Sequence, residues 1–101
     1  MNSFLALCAG ERIETQCEPA PYELVIHRKI VLGGFCETQW SVSDPVCGAM
    51  VCEGKGRAGA LETLERIRRR FGSAGAFLVE LYRQRERIER GLPPTDRAGP
   101  H

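Results

Sequence analysis

Histidine is scarce in this sequence, and its cysteines do not form repeated close pairs. The 101 residues include five cysteines and only two histidines, His27 and His101. A structural zinc site usually draws on two close pairs of cysteine or histidine. Cys47 and Cys52, the nearest pair, have four residues between them, and no second pair follows. We therefore predict no bound metal, and we find no motif for any other cofactor.

The sequence also lacks the residue groups that common catalytic mechanisms need. A cysteine nucleophile requires a base, and His27 is the only candidate because His101 lies at the terminus. Metal-dependent hydrolysis requires clustered carboxylates, whereas the strand candidates offer only Glu23, Glu37 and Glu53. We predict a protein without enzymatic activity, and His27 with a cysteine is the catalytic alternative.

Long apolar runs are absent as well. No stretch approaches the roughly 20 residues that are needed to span a bilayer. The apolar segment 4–9 is short, and no lysine or arginine precedes it as a secretory signal requires. We predict a cytoplasmic protein that does not engage membranes. Its cysteines should be reduced and should pack as small apolar side chains.

The net charge of +1 conceals an uneven distribution of charge. Residues 1–50 contain three basic and six acidic side chains, whereas residues 51–101 contain eleven basic and seven acidic ones. Four arginines of the second half are close together: Arg66, Arg68, Arg69 and Arg70. Such a cluster can steer an oppositely charged partner, and a solvated helix face is the alternative interpretation. Arg68 and Arg70 have no acidic residue four positions earlier, so we expect them to be the most available cations.

The first half of the chain has the composition of short β-strands. Four segments are apolar or rich in β-formers: residues 3–8, 22–31, 35–43 and 49–52. Gly33 and Gly34 allow a tight antiparallel turn. The polar segment 11–21 contains Pro19 and Pro21, and it is predicted to be a loop.

The second half changes to helical periodicity. Apolar residues recur every three or four positions from residue 57 to Phe71 and again from Ala74 to Ile88. Gly72 and Ser73 are suited to end the first helix and to cap the second. We predict an α+β fold in which a small antiparallel sheet of three or four strands packs against two C-terminal helices. Residues 1–94 would form a single domain, and residues 95–101 a flexible tail. Apolar contacts should join the sheet to the helices through Trp40, Val42, Leu61, Leu64, Phe77 and Leu81.

Several segments carry a family resemblance that covers about two thirds of the chain. Residues 22–26, Trp40-Ser41-Val42-Ser43, Gly48 and residues 53–61 together resemble the HicB-type antitoxin domain. Members of that family have a strand with Trp-x-Val-x-Phe-Pro-Asp-x-Pro-Gly, and Gly-Asp-Thr-x-x-Glu-Ala opens a helix. This sequence has Asp-Pro-Val-Cys at 44–47 and Lys-Gly at 55–56 instead. No DNA-binding segment follows Pro94, so we do not expect operator binding.

The resemblance implies a degenerate ribonuclease H-like sheet that covers the surface of a partner. We therefore predict a small non-catalytic protein that binds and neutralises a protein partner, one that itself acts on nucleic acid. The predicted contact residues are Arg66, Arg68, Arg69, Arg70 and Trp40, because arginine and tryptophan are enriched at the centres of interfaces.

Two alternatives remain for the function. One is a phage or mobile-element inhibitor of a bacterial defence complex, of the anti-CRISPR type. The other is a module that binds nucleic acid directly. The protein would be a monomer or a homodimer, the latter if residues 35–43 lie at a sheet margin.

Overall fold

Five strands precede two helices in the computed structural model, which describes residues 2–92. The elements are β1 (Asn2–Cys8), β2 (Glu11–Ala20), β3 (Leu24–Val31), β4 (Gly34–Ser43), β5 (Met50–Lys55), α1 (Gly56–Arg70) and α2 (Ala74–Glu89). The strands form one antiparallel sheet in the order β1-β2-β3-β4-β5. The α+β class and the two C-terminal helices are confirmed, and the domain has five strands instead of three or four. The predicted tail, 95–101, lies outside the described residues.

The additional strand is β2, and the prediction of a loop over 11–21 was wrong. Residues 11–17 pair with β1, and Glu18–Ala20 pair with β3. Thr15 and Cys17 are buried while Glu14 and Gln16 are exposed, which is the alternation of a strand with one buried face. The segment appeared loop-like because its outward residues are polar and its prolines lie at the end of the strand, where proline is tolerated.

β4 is a central strand, with β3 on one side and β5 on the other. Residues 39–43 are therefore not a sheet margin, whereas residues 35–38 have no β5 partner. A homodimer through that edge stays a prediction. One face of the sheet packs on the helices. The core cluster there includes Ile26, Val42, Leu64, Phe77 and Leu81, all at most 2% exposed. Trp40 and Leu61 border this cluster, as the sequence pattern predicts.

The β1–β2 hairpin folds over the other face of β3 and β4, and we call this hairpin the curl. Phe4, Ala6 and Cys17 form a second buried cluster that contacts Val25 and Ile30. The amide of Leu7 donates a 2.8 Å hydrogen bond to the carbonyl of Gly48, which joins β1 to the segment that leads into β5. The curl therefore closes back on the sheet, and it buries Ser41 and Ser43 on the second face of β4.

One ion pair connects α2 to the turn after β4. The Asp44 carboxylate is 1% exposed, and it accepts hydrogen bonds from Arg85 Nε at 2.6 Å and from the Val46 amide at 2.9 Å. A charge-assisted hydrogen bond of this length, with one partner buried, holds the C-terminal half of α2 against the turn after β4. No helix within residues 2–92 is long and apolar enough to cross a membrane.

Candidate functional site

The predicted arginines lie on the last two turns of α1, where Arg66, Arg69 and Arg70 are exposed. Arg68 is different: its side chain is 23% exposed, and its Nε donates a 3.0 Å hydrogen bond to Glu65 Oε1. The expectation that Arg68 is among the most available cations was wrong, because its acidic partner lies three positions earlier instead of four. Arg70 also interacts within the chain.

Glu65 joins Arg68 to the turn between β2 and β3. The Tyr22 hydroxyl donates to Glu65 Oε1 at 2.8 Å, and this bond together with Arg68 holds the pKa of Glu65 below its usual value. Burial and the same hydrogen bond raise the pKa of Tyr22. Tyr22 packs edge-on against Phe77, with ring centroids 5.3 Å apart. Arg68 therefore serves the fold, and the α1 arginine face that remains consists of Arg66, Arg69 and Arg70.

Trp40 does not belong to the α1 arginine face. It pairs across the sheet with Gly54, whose backbone lies against Gly59 in the first turn of α1. With a rise of about 1.5 Å per residue, the arginines begin roughly 10 Å further along the helix. The structure thus separates the predicted contact residues into two surfaces.

Trp40 lines a cleft between β2 and β3. These strands pair only where Glu18–Ala20 oppose Leu24–Ile26; towards its N-terminus, β2 follows β1 instead. Within the described residues, no backbone ladder joins 11–17 to 27–31. A space of about 630 Å³ opens between them. We call it the strand-gap cleft and define it by Glu14, Gln16, Glu18, Arg28, Phe35 and Trp40.

The strand-gap cleft combines aromatic surface with charged rims. Phe35 is 48% exposed, and Trp40 is half-buried beside it. Glu14 and Glu18 lie on the β2 rim, and Arg28 lies on the β3 rim. Arg57, at the start of α1, reaches Glu18 at 3.5 Å. Aromatic side chains surrounded by polar groups are typical of surfaces that bind other molecules.

The apolar surface continues from the cleft to the tip of the β3–β4 hairpin. Val31 and Leu32 are exposed there, and Leu32 is fully so. Leu32 and Gly33 form the two-residue loop, in which Gly33 has a φ of +87°. Exposed apolar side chains that adjoin a cleft indicate a contact surface more strongly than scattered ones.

Sequence reasoning identified Trp40 but missed the rest of the cleft. The sequence pattern predicts Arg28 and Phe35 only as parts of strands, and Glu14 and Glu18 as parts of a loop. The alternation of Ile13, Thr15 and Cys17 with the more polar residues between them is the one signal that could have revealed the β2 rim. The gap itself depends on where two strands separate, which no local pattern specifies.

His27 lies beneath the curl, and both of its ring nitrogens are engaged. Nδ1 lies 2.7 Å from the Arg28 carbonyl oxygen, and Nε2 lies 2.8 Å from Ser43 Oγ. Because a carbonyl oxygen only accepts, Nδ1 carries the proton and Nε2 accepts from the Ser43 hydroxyl. Burial lowers the pKa of His27, which favours this neutral form. His27 is thus paired with a serine and a backbone carbonyl, and not with a cysteine as in the catalytic alternative.

The cysteines are all free thiols, and they do not converge on a metal site. Cys17, Cys47 and Cys52 are buried, and Cys8 and Cys36 are partly exposed. In the described part of the chain, no three side chains of histidine, cysteine, aspartate or glutamate come together as ligands. Hydrogen bonding to Thr38 lowers the pKa of the Cys36 thiol, which lies on β4 next to Phe35.

Comparison with known proteins adds no relative: no protein-family model, curated protein or solved structure matches this chain. The strand-gap cleft and the α1 arginine face are therefore the two surfaces from which a function can be inferred.

Proposed function

We propose that this protein acts by binding a partner protein and neutralising it, and that the strand-gap cleft is the main contact. The observation that carries the proposal is the coincidence of two unpaired strand edges with two aromatic side chains, of which Phe35 is exposed and Trp40 is half-buried. A strand edge without a partner presents backbone donors and acceptors that readily pair with another chain. Phe35 and Trp40 add the kind of side chain that contributes most to interface affinity.

Binding accounts for the polar groups of the fold better than catalysis does. His27 and Ser43, the one histidine–serine pair in residues 2–92, are 4% and 1% exposed. A backbone carbonyl, and not a carboxylate, orients the histidine ring. The pair closes the interface between the curl and the sheet, where an unsatisfied polar group would cost about 1–3 kcal/mol.

The α1 arginine face supplies a second contact, which acts mainly on the rate of association. Arg66 and Arg69 are exposed, and an exposed basic surface accelerates encounter with an acidic partner. The HicB-like segments favour a toxin-like partner that acts on nucleic acid. A subunit of a bacterial defence complex, the anti-CRISPR alternative, would use the same two surfaces.

Affinity purification of the tagged protein from its native host tests the proposal. We expect a stoichiometric partner whose complex forms again from the purified proteins and whose activity falls on binding. Phe35→Ser should weaken this complex, whereas Val46→Ser should not, because Val46 is also an exposed apolar side chain but lies outside the strand-gap cleft. Equal affinities for the two variants would exclude the cleft as the contact.

Direct nucleic-acid binding remains a second candidate because Arg66 and Arg69 present two exposed guanidinium groups on one helix end. A fluorescence-anisotropy titration with short duplexes should then give an affinity that falls steeply with salt. The double substitution Arg66→Glu with Arg69→Glu should abolish it. Unchanged binding to nucleic acid by this variant would contradict a role for the α1 arginine face.

A further inference from the structure

The strand-gap cleft has backbone on both of its long sides. β2 is paired with β1 over residues 11–17, so its other edge faces the cleft. β3 is paired with β4 across Arg28 and Trp40, so its other edge faces the cleft from the opposite side. An extended segment that lies between them can hydrogen-bond to either edge, which is how many domains bind peptides by strand addition.

We propose that the partner binds by inserting an extended segment as an added strand in the strand-gap cleft, and that this segment alternates small residues with basic and apolar ones. The inference rests on the proposed function, since it specifies how the partner makes its main contact.

Side chains of the added strand would alternate between the two faces of the sheet. Towards the curl, the space is already filled by Cys17 and His27, which are buried. Positions of the segment that point this way must therefore be small, such as alanine, serine or threonine.

The other face is covered by the helices at Ile26 but exposed along the two rims, and the charge of the rims identifies the remaining positions. Glu14, Gln16 and Glu18 are exposed on β2 and Arg28 is exposed on β3, while Trp40 lies half-buried on the same face at the border of the core. Extending the β2–β3 register places Gln16 opposite Arg28, so a residue between these two lies beside Arg28, with Trp40 one strand further, roughly 10 Å away. A long apolar side chain there can pack on the stem of Arg28 and reach towards the Trp40 ring. The residue two positions away lies beside Glu14, and a lysine or arginine there gains a charged partner.

The peptide acetyl-Thr-Lys-Ala-Leu-Thr-Lys-Thr-amide has this pattern and is a direct probe. We expect titration into the ¹⁵N-labelled protein to shift the backbone signals of residues 12–17 and 27–31 and the indole signal of Trp40. Edge amides in these segments should also exchange more slowly with solvent. The same peptide with alternate amides N-methylated is the control: it keeps the side chains but loses the hydrogen bonds, so the shifts should disappear.

Charge reversal at Glu14 tests the predicted position of the basic residue in the bound segment. Glu14 is exposed, so Glu14→Lys should leave the fold intact. It should weaken binding of the lysine peptide about two- to fivefold, the usual effect of an exposed ion pair, and strengthen binding of a peptide with glutamate in place of lysine. Shifts on α1 instead of the cleft, equal binding of the N-methylated peptide, or no shift at all would each overturn strand addition.

The two experiments separate the two proposals. A partner that is captured through Phe35 while the peptide fails to bind would leave the protein-binding function in place and refute strand addition. A peptide that binds in the predicted register while no partner protein is captured would support strand addition and refute neutralisation of a partner.

Discussion

Replacing Gly48 with alanine tests whether the contact between β1 and the segment before β5 holds the curl closed. Gly48 has a φ of +82°, and a Cβ atom there would lie 2.6 Å from Arg12 Nη1 and 2.9 Å from the Leu7 amide nitrogen, with Leu5 O closer still. These distances are too short for real contacts, so β1 would have to move away. The hydrogen bond from Leu7 to the Gly48 carbonyl would then be lost.

The cost can be separated into two parts by a matched glycine. Gly10 also has a φ of +82°, but a Cβ there meets nothing within 4 Å. Gly10→Ala therefore measures the backbone penalty of positive φ alone, about 1 kcal/mol. Gly48→Ala should cost about 1.5–4.5 kcal/mol more, from one lost hydrogen bond of about 0.5–1.5 kcal/mol and about 1–3 kcal/mol of steric displacement.

Urea denaturation of both variants, followed by tryptophan fluorescence, gives the difference in the free energy of unfolding. Hydrogen exchange of the Leu7 amide should also become faster in Gly48→Ala and stay unchanged in Gly10→Ala, because only the first variant releases this amide from its acceptor. Equal destabilisation by the two substitutions, or a Leu7 amide that stays protected, would refute the closing role of Gly48.

Three further predictions concern the buried ion pair, the buried histidine and an exposed thiol. Arg85→Met should lower the free energy of unfolding by about 3–5 kcal/mol, because it leaves the Asp44 carboxylate buried without its cation. Arg83→Met, which changes an exposed arginine on the same helix, is the control. A similar small loss of stability in both variants would contradict this role of Arg85. Since burial lowers the pKa of His27, the unfolded state binds more protons than the folded state once the pH falls below the ordinary value of 6.5. Stability measured by thermal unfolding should therefore decline from pH 7 to pH 5.5, by at most about 1.4 kcal/mol per pH unit, and a flat profile would show that His27 does not titrate differently on folding. Iodoacetamide should modify Cys36 well before the three buried cysteines, because Cys36 is partly exposed and its pKa is lowered. Mass spectrometry after brief labelling gives the order of modification. A buried cysteine modified before Cys36 would contradict the exposure of Cys36.

Local sequence patterns were sufficient for the elements whose signals lie within a few residues. Ser73 caps α2 as predicted, with its hydroxyl oxygen accepting from the Ala76 amide at 3.1 Å. Gly72, with a φ of +83°, reverses the chain between the helices. The β3–β4 hairpin forms where the glycines predict it, with Leu32 and Gly33 as its loop, and Trp40 and Val42 face the helices on the same side. Each of these features depends on a single turn or cap residue, or on apolar residues that recur at short intervals along the chain.

The candidate site was predictable only in part. Trp40 is a contact candidate on residue type, and it lines the strand-gap cleft, but its role in a contact stays a prediction. Arg68 was misjudged because the i, i+4 rule overlooks a partner at i+3, and because Tyr22 lies 43 residues from Glu65 in the chain. No window along the sequence contains both ends of such a contact.

The sequence by itself determined the α+β class, the two amphipathic helices and the hairpin of β3 and β4, since hydrophobic period and turn chemistry act over neighbouring residues. The tertiary structure alone decided that residues 11–20 form a strand, that the sheet curls until Leu7 reaches Gly48, and that β2 leaves β3 after three pairs. These features follow from packing between segments that are distant in the chain. Phe4 packs on His27, with ring centroids 5.0 Å apart, beneath the point where β2 leaves β3, and the strand-gap cleft is the space between the two separated strands.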